Sequence, residues 1–363
     1  MITIVPVTLV TASGGCWVYA FPMKGHQWKK RVRADDFQRW RGFVQGVFLL
    51  LNLWIGVGFV LFVRGLEGRW IPWETSRPAG VEGWLPIAGM MNTRFFLETG
   101  RMPVIHPAAM VLFVTFVLLS LVFRKAFCGW LCPVGTVSEW LWKTGREAFG
   151  RSFLTPKWLD LVLRMCKYVL LSAFFYAVLR MDAASIDGFL TSPYGLMADV
   201  KMLNFFRFLS PMAAAFVGVL VIVSLFVPNA WCRYVCPYGA LMGLAALGSP
   251  TRIGREEGAC IDCGKCARAC PSRLPVDKLV QIRSAECIGC MECVSACPAE
   301  GALYVGFAGR RGGITGRRLA VAISVVFVVV YMGARLTGHW ESAIPLDVYR
   351  ELVPVARELD HPR

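Results

Sequence analysis

The sequence predicts an all-α polytopic membrane protein of about five transmembrane helices, internally duplicated, with a small α+β domain inserted before its last span. Three observations carry this reading. Hydrophobic residues make up 56% of the 363 and charged residues only 17%, against roughly a quarter charged in an ordinary soluble domain, and the apolar residues gather into long runs. The basic excess falls on alternate loops. Eight of the fourteen cysteines lie in two runs of identical spacing between Cys260 and Cys297.

Segment 1–41 is apolar, then basic. Met1–Met23 is interrupted by Pro6, Gly14, Gly15 and Pro22, and no basic residue precedes it, so a secretory signal is not expected. It fits a sixth span, an interfacial helix or a start codon placed too early. Segment 42–229 holds four spans, Gly42–Val63, Pro107–Phe123, Trp158–Leu179 and Pro211–Val227. A crossing helix needs about 20 apolar residues, with about 17 as the lower limit. The third run opens with Asp160, Arg164 and Lys167, and its long basic side chains are expected to snorkel to the headgroups. Segment 230–317 is the inserted cysteine-rich domain, and 318–363 holds the fifth span, Leu319–Ala334, and a polar tail.

The net charge of +15 raises nucleic-acid binding, but its distribution excludes that class. Segments 24–41, 124–157 and 230–318 carry 25 basic and 11 acidic residues, whereas 64–106, 180–210 and 335–363 carry 12 of each. The positive-inside rule accounts for this alternation. It places the N-terminal basic stretch, the 124–157 loop and the cysteine-rich domain in the cytoplasm of a bacterial inner membrane, and the C-terminus outside.

The two cysteine runs read Cys260-x2-Cys263-x2-Cys266-x3-Cys270-Pro271 and Cys287-x2-Cys290-x2-Cys293-x3-Cys297-Pro298, each position repeating after 27 residues. Two-cluster bacterial ferredoxins use this run, and its fourth cysteine ligates the other cluster. The spacing therefore predicts two [4Fe–4S] clusters, one on Cys260, Cys263, Cys266 and Cys297, the other on Cys270, Cys287, Cys290 and Cys293. Paired zinc sites are the alternative, but they separate their cysteine pairs by longer loops. Lys265, Arg268, Arg273 and Arg283 surround the runs. They fit a solvated positive-inside face, a dock for an acidic partner, or stabilisation of reduced clusters.

A second repetition lies at the cytoplasmic ends of the second and fourth spans. Cys128-Gly-Trp-Leu-Cys132-Pro133 matches Cys232-Arg-Tyr-Val-Cys236-Pro237. Cysteines four apart share a face if that stretch is helical, and the proline after each pair would begin a new helix. Two facing pairs would offer four thiolates, Cys128, Cys132, Cys232 and Cys236, to a further iron or iron–sulfur centre; the alternative is small buried residues. Cys16 and Cys166 read as packing residues.

On these motifs the chain, from about Arg39 to Arg335, resembles the NapH/NosR-type membrane ferredoxins, also called polyferredoxins or quinol dehydrogenase membrane components. The resemblance implies an electron-transfer subunit of a respiratory chain. Its partners would be the quinone pool or a redox protein, such as a periplasmic ferredoxin, a multihaem cytochrome or a reductase. The modest length outside the spans favours a NapH-like subunit over NosR-like or CcoG-like relatives, which carry an extra extracytoplasmic domain.

None of the four histidines (His26, His106, His339 and His361) lies mid-membrane, and no Cys-x-x-Cys-His or strand-borne Gly-x-Gly-x-x-Gly occurs. Haem and nucleotide sites are therefore not expected. His106 and His339, at the outer ends of the second and fifth spans, are candidate quinone contacts. No self-contained catalytic residue stands out. The expected function is iron–sulfur electron relay between quinone and a partner oxidoreductase. A CcoG-like metal-handling assembly factor and a redox sensor are the alternatives.

Overall fold

The computed structural model describes residues 36–68, 76–150, 155–310, 312 and 314–361; Met1–Met23, with Cys16, and His26 lie outside them. Fourteen helices occur among the described residues. They are α1 (Asp36–Leu66), α2 (Pro86–Thr99), α3 (Pro107–Phe123), α4 (Pro133–Phe149), α5 (Lys157–Arg180), α6 (Ala183–Thr191), α7 (Pro193–Leu196), α8 (Ala198–Arg207), α9 (Pro211–Phe226), α10 (Pro237–Ala245), α11 (Lys265–Ala269), α12 (Glu292–Ser295), α13 (Gly316–Leu336) and α14 (Leu346–Val355). Proline begins six of them, where its missing N–H costs nothing and its fixed φ suits the first turn.

The five expected apolar runs all lie in helices, namely α1, α3, α5, α9 and α13. Three of these, α1, α5 and α13, are long and apolar enough to cross a bilayer. The pair α8 and α9 would make a fourth crossing, bent by 79° at the break between them. At 17 residues and about 1.5 Å rise per residue, α3 reaches on the order of 26 Å, short of a hydrocarbon core of roughly 30 Å. The described residues thus give three spans, or four with the bent pair.

The inserted domain is α+β. Strand β1 (Thr251–Arg255) pairs antiparallel with β2 (Leu303–Phe307), with Ile253 opposite Val305. The two strands bracket both cysteine runs, and the short helices α11 and α12 lie between them. The domain does not hang free. Ser249 Oγ and Thr251 Oγ1 both donate to the Val122 carbonyl at the end of α3, at 2.9 and 2.7 Å.

The charged start of α5 departs from expectation. Lys167 is buried instead of snorkelling, and Asp160 is buried as well. Asp160 accepts from Arg233 Nε and Nη2 at 2.8 and 2.9 Å and from Tyr234 Oη at 2.7 Å, and Arg164 closes on it at 2.5 Å. Lys167 Nζ donates to both Glu286 oxygens at 2.8 and 2.7 Å. The partners come from elsewhere in the fold, which is why the α5 sequence alone suggested snorkelling. Cys166, between these charged positions, is exposed and does not pack as expected.

At the other end, α14 folds back on α1. Tyr349 and Val353 join Phe59, Phe62 and Val63 in one buried cluster.

Removing one partner of a buried ion pair leaves an uncompensated charge, at a cost of about 3–5 kcal/mol, whereas replacing both by apolar groups is often neutral. Glu286→Ala is therefore expected to lower the thermal unfolding midpoint of the detergent-solubilised protein strongly. The double variant Lys167→Met/Glu286→Leu should recover most of that loss.

Candidate iron–sulfur centres

Two cavities in the inserted domain divide the eight clustered cysteines. One, with about 330 Å³ of empty space, is lined by Cys260, Cys263, Cys266 and Cys297. The other, with about 290 Å³, is lined by Cys270, Cys287, Cys290 and Cys293, within an apolar wall that includes Ile253, Leu274, Val276 and Ile282. Each takes three thiols from one run and the last thiol of the other run. Gly264 and Met291 sit in left-handed conformation just before α11 and α12, which turns each loop sharply ahead of its third cysteine. Cys270 and Cys297 are carried beyond those helices, each followed by proline.

These sites fit a cubane. Among the described residues no three or more His, Cys, Asp or Glu side chains converge tightly enough for a single metal ion. Four thiols lining each pocket, three from one run and the last of the other, suit a cluster with one thiolate per corner iron. Sulfur-only ligation also matches iron–sulfur chemistry.

The two cavities differ in setting. Cys260, Cys263 and Cys297 are half-buried, whereas Cys287, Cys290 and Cys293 are buried. The second cavity is pressed against the helical core. Trp130, fully buried, donates its indole N–H to the Gly289 carbonyl at 3.0 Å, and Gln38 Nε2 donates to the Cys290 carbonyl at 2.7 Å. A Cβ built on Gly129 would stand 2.3 Å from the Ile288 carbonyl oxygen, so only glycine permits this approach. Arg41, buried beneath, donates from Nε to the Gly129 carbonyl at 2.8 Å and pairs with Glu139. Lys143 extends the network, bridging Glu139 at 2.7 Å and Glu292 at 3.1 Å.

Gly129 and Trp130 belong to the first membrane-edge cysteine motif. That motif is not a regular α-helical face. Phe127–Leu131 and Trp231–Val235 are each one π-helical turn, closed by Cys132 N–H to the Phe127 carbonyl at 2.9 Å and by Cys236 N–H to the Trp231 carbonyl at 3.0 Å. Cys132 and Cys236 then leave helical conformation, and proline starts α4 and α10. Single π turns inside helical structure concentrate at functional sites.

The fold brings these four thiols near enough for their charges to be felt among them, without the tight convergence that a single metal ion needs. Burial raises the pKa of Cys232 first, and the nearby Cys132, Cys236 and Cys128 raise it further. Burial likewise pushes Cys128 up to about 12 and Cys132 up to about 11. Without a metal these are neutral thiols at neutral pH, and a thiolate form there needs cationic compensation. Lys125 lies close enough to oppose the rise at Cys128, Cys232 and Cys236. The Tyr238 ring lies between Phe113 and Phe127, with centroids 5.9 and 5.5 Å away.

The two candidate histidines fare differently. His106 is fully buried, its Nδ1 3.2 Å from Glu82 Oε1 and its Nε2 3.0 Å from the Gly195 carbonyl. Both ring nitrogens are committed internally, so neither is offered to a quinone in this structure. His339 is half-buried beside buried Trp340. Sequence reasoning missed Glu82 and Asp199, both fully buried and joined by Arg77, because isolated acids far apart in sequence carry no pattern. It also missed Gln38, Arg41 and Glu139, whose roles depend on long-range contacts.

Helices of bilayer-spanning length joined to paired four-thiol cavities define a membrane-associated iron–sulfur protein. The comparisons with known proteins agree. The 4Fe-4S dicluster domain family matches residues 252–298, and the 4Fe-4S binding domain family matches 105–152 and 209–255. YccM of Escherichia coli K12, which bears the name of an electron transport protein, is 46% identical over 327 residues, 89% of this chain and 92% of its own. The ferredoxin-type protein NapH of the same organism is 26% identical, covering 70% of this chain and 79% of its own. The methylamine utilization ferredoxin-type protein MauN of Methylorubrum extorquens is 28% identical over 58% of this chain and 69% of its own. The chain belongs to the family of membrane ferredoxin-type electron transport proteins that includes YccM, NapH and NosR. No solved structure matches it.

Because Gly129 touches the Ile288 carbonyl, Gly129→Ala must push the π turn and the cluster loop apart. A loss of about 1–3 kcal/mol is expected from such overpacking, read as a lowered unfolding midpoint. Gly218→Ala, at a glycine with open space around it, should leave the midpoint nearly unchanged.

Proposed function

We propose that this chain is the membrane subunit of a respiratory electron-transfer system and relays electrons between the quinone pool and a partner oxidoreductase. The observation that carries the reading is the presence of three thiol sites in one chain: the half-buried pocket, the buried one, and the membrane-edge cysteines, whose neighbours Gly129 and Trp130 touch the loop of the buried pocket. In this reading Cys260, Cys263, Cys266 and Cys297 hold one [4Fe–4S] cluster, and Cys270, Cys287, Cys290 and Cys293 hold the other. Support comes from the cavity linings, which pair the thiols in that crossed way. A cubane supplies a one-electron carrier of adjustable potential. The protein's own contribution is to fix the spacing. Trp130, Gln38 and Arg41 hold the Cys287–Cys290 loop against the helical core, and the apolar wall keeps water from the buried cavity.

The reading extends to an internally duplicated core of five spans. In it the two π turns are equivalent points, and α3 crosses with help from its flanking residues. Cys128, Cys132, Cys232 and Cys236 would then hold a further iron or iron–sulfur centre as the stepping stone toward the bilayer. Their burial and their proximity support it, because buried thiolates need metal charge beside them. Of the two histidines proposed as quinone contacts, His339 keeps that role, since His106 is committed within the fold.

Cys132→Ser or Cys236→Ser should stop quinol-linked electron transfer while leaving the spectra of both ferredoxin-type clusters intact. Iron in the purified wild-type protein should exceed the content of two cubanes. Iron equal to two cubanes, with normal transfer in both variants, would sink the third centre and leave the two-cluster relay standing.

Orientation has its own check. A reporter fused after Arg363 should be active only outside the cytoplasm, and one inserted near Arg255 only inside it, as the alternating basic loops require.

A further inference from the structure

Three arginines meet where the inserted domain joins the end of α3, and none has a carboxylate partner among the described residues. Arg124 caps α3 in left-handed conformation and is fully buried. Its Nη2 donates to the Ser284 carbonyl at 3.1 Å, but its Nε and Nη1 are buried without any acceptor. Arg252, on β1, donates from Nε to the Ser249 carbonyl at 3.2 Å, and its Nη1 is also buried and unpartnered. Arg283 is exposed and makes one long bond, 3.4 Å, to Gln281.

The backbone brings the three together. Ser249 and Thr251 are bonded to Val122, two residues before Arg124, and Ile282 N–H donates to the Ile253 carbonyl at 3.0 Å. Burial, then the charges of Arg283 and Arg124, lower the pKa of Arg252.

Unpaired guanidinium donors facing like charges are unfavourable unless an anion completes the site. The planar fork of arginine suits phosphate oxygens. What borders the cluster identifies the source of that phosphate. Leu118, Leu121, Leu244 and Leu247 are exposed at the adjoining ends of α3 and α10, and Leu121 reaches against Gly248, one residue from the Ser249 carbonyl that Arg252 holds. An apolar strip leading to a basic pocket at a membrane surface is the arrangement that receives a lipid chain and its headgroup.

We propose that Arg124, Arg252 and Arg283 bind the phosphodiester headgroup of an anionic phospholipid of the phosphatidylglycerol class, with its acyl chains along the four leucines. Arg252 and Arg283 form the accessible lip, and Arg124 forms the floor. The bound lipid would tie the end of α3 to β1 and the 281–286 loop, and so steady the inserted domain on the bilayer.

The test is native mass spectrometry of the full-length, cluster-loaded protein released from detergent with added dioleoyl-phosphatidylglycerol or dioleoyl-phosphatidylcholine. The wild type should retain the glycerol lipid at least tenfold better than the choline lipid. The lip variant Arg252→Gln/Arg283→Gln should lose that preference while keeping its iron–sulfur absorbance, and Arg101→Gln, an exposed arginine near the start of α3, at the opposite end of that helix from Arg124, should behave as wild type. Equal retention of the two lipids, or undiminished retention by the lip variant, overturns the proposal. So does displacement of the lipid by millimolar inorganic phosphate, which would assign the site to the free anion.

Discussion

The structure depends on one close approach, that of the Cys287–Cys290 loop to the π turn Phe127–Leu131. Gly129 lets the two backbones meet because no side chain stands between them. The indole N–H of Trp130 and the amide of Gln38 then satisfy loop carbonyls that would otherwise be buried without donors. Such pairing is obligatory in a buried, low-dielectric contact. Gly289, in left-handed conformation, brings its own backbone against the Arg124 carbonyl. The ferredoxin-type domain is joined to the helical core through these close backbone approaches.

Buried ion pairs lock that docking in place. Arg41 with Glu139, Arg233 with Asp160, and Lys167 with Glu286 each join elements far apart in sequence. All three connect to the cysteine loops: Arg41 Nη1 lies 3.8 Å from Glu292, between Cys290 and Cys293, Arg233 Nη1 also donates to the Pro271 carbonyl at 2.7 Å, and Glu286 immediately precedes Cys287. Buried pairs of this kind contribute little net stability compared with apolar packing. Their use here is geometric, since each pair is satisfied in only one arrangement of domain and helices.

A separate network organises the opposite end of the helices. Arg77 bridges Glu82 and Asp199 at 2.8 and 2.7 Å, and Tyr349 on α14 lies 3.4 Å from Asp199. The Gly195 carbonyl can only accept, so His106 Nε2 carries a hydrogen, while Nδ1 faces the Glu82 carboxylate. With the Ala109 amide also donating to Glu82 at 3.1 Å, the network ties the start of α3, the segment before α2, α8 and the C-terminal helix together. Its residues are scattered over short helices and connecting segments far apart in sequence, and the same burial that holds them removes His106 from the surface.

The sequence by itself determined the chemistry and the class. The x2-x2-x3 spacing of the cysteines needs no tertiary contact to be recognised, because the ligand loop is local and its repeat is exact in length. The apolar runs and the alternating basic loops are likewise local or additive signals, and they marked all five helices that the structure forms there. Tertiary structure decided what depends on distance in space. It set α8 at 79° to α9, and it made the membrane-edge cysteines part of π turns instead of a regular helical face. It buried Asp160 and Lys167 with partners that lie 73 and 119 residues away in sequence, where the α5 sequence alone leads the basic side chain to be expected at the headgroups. A charge in an apolar run looks the same whether it snorkels or is paired, and only the fold supplies the partner that decides between them.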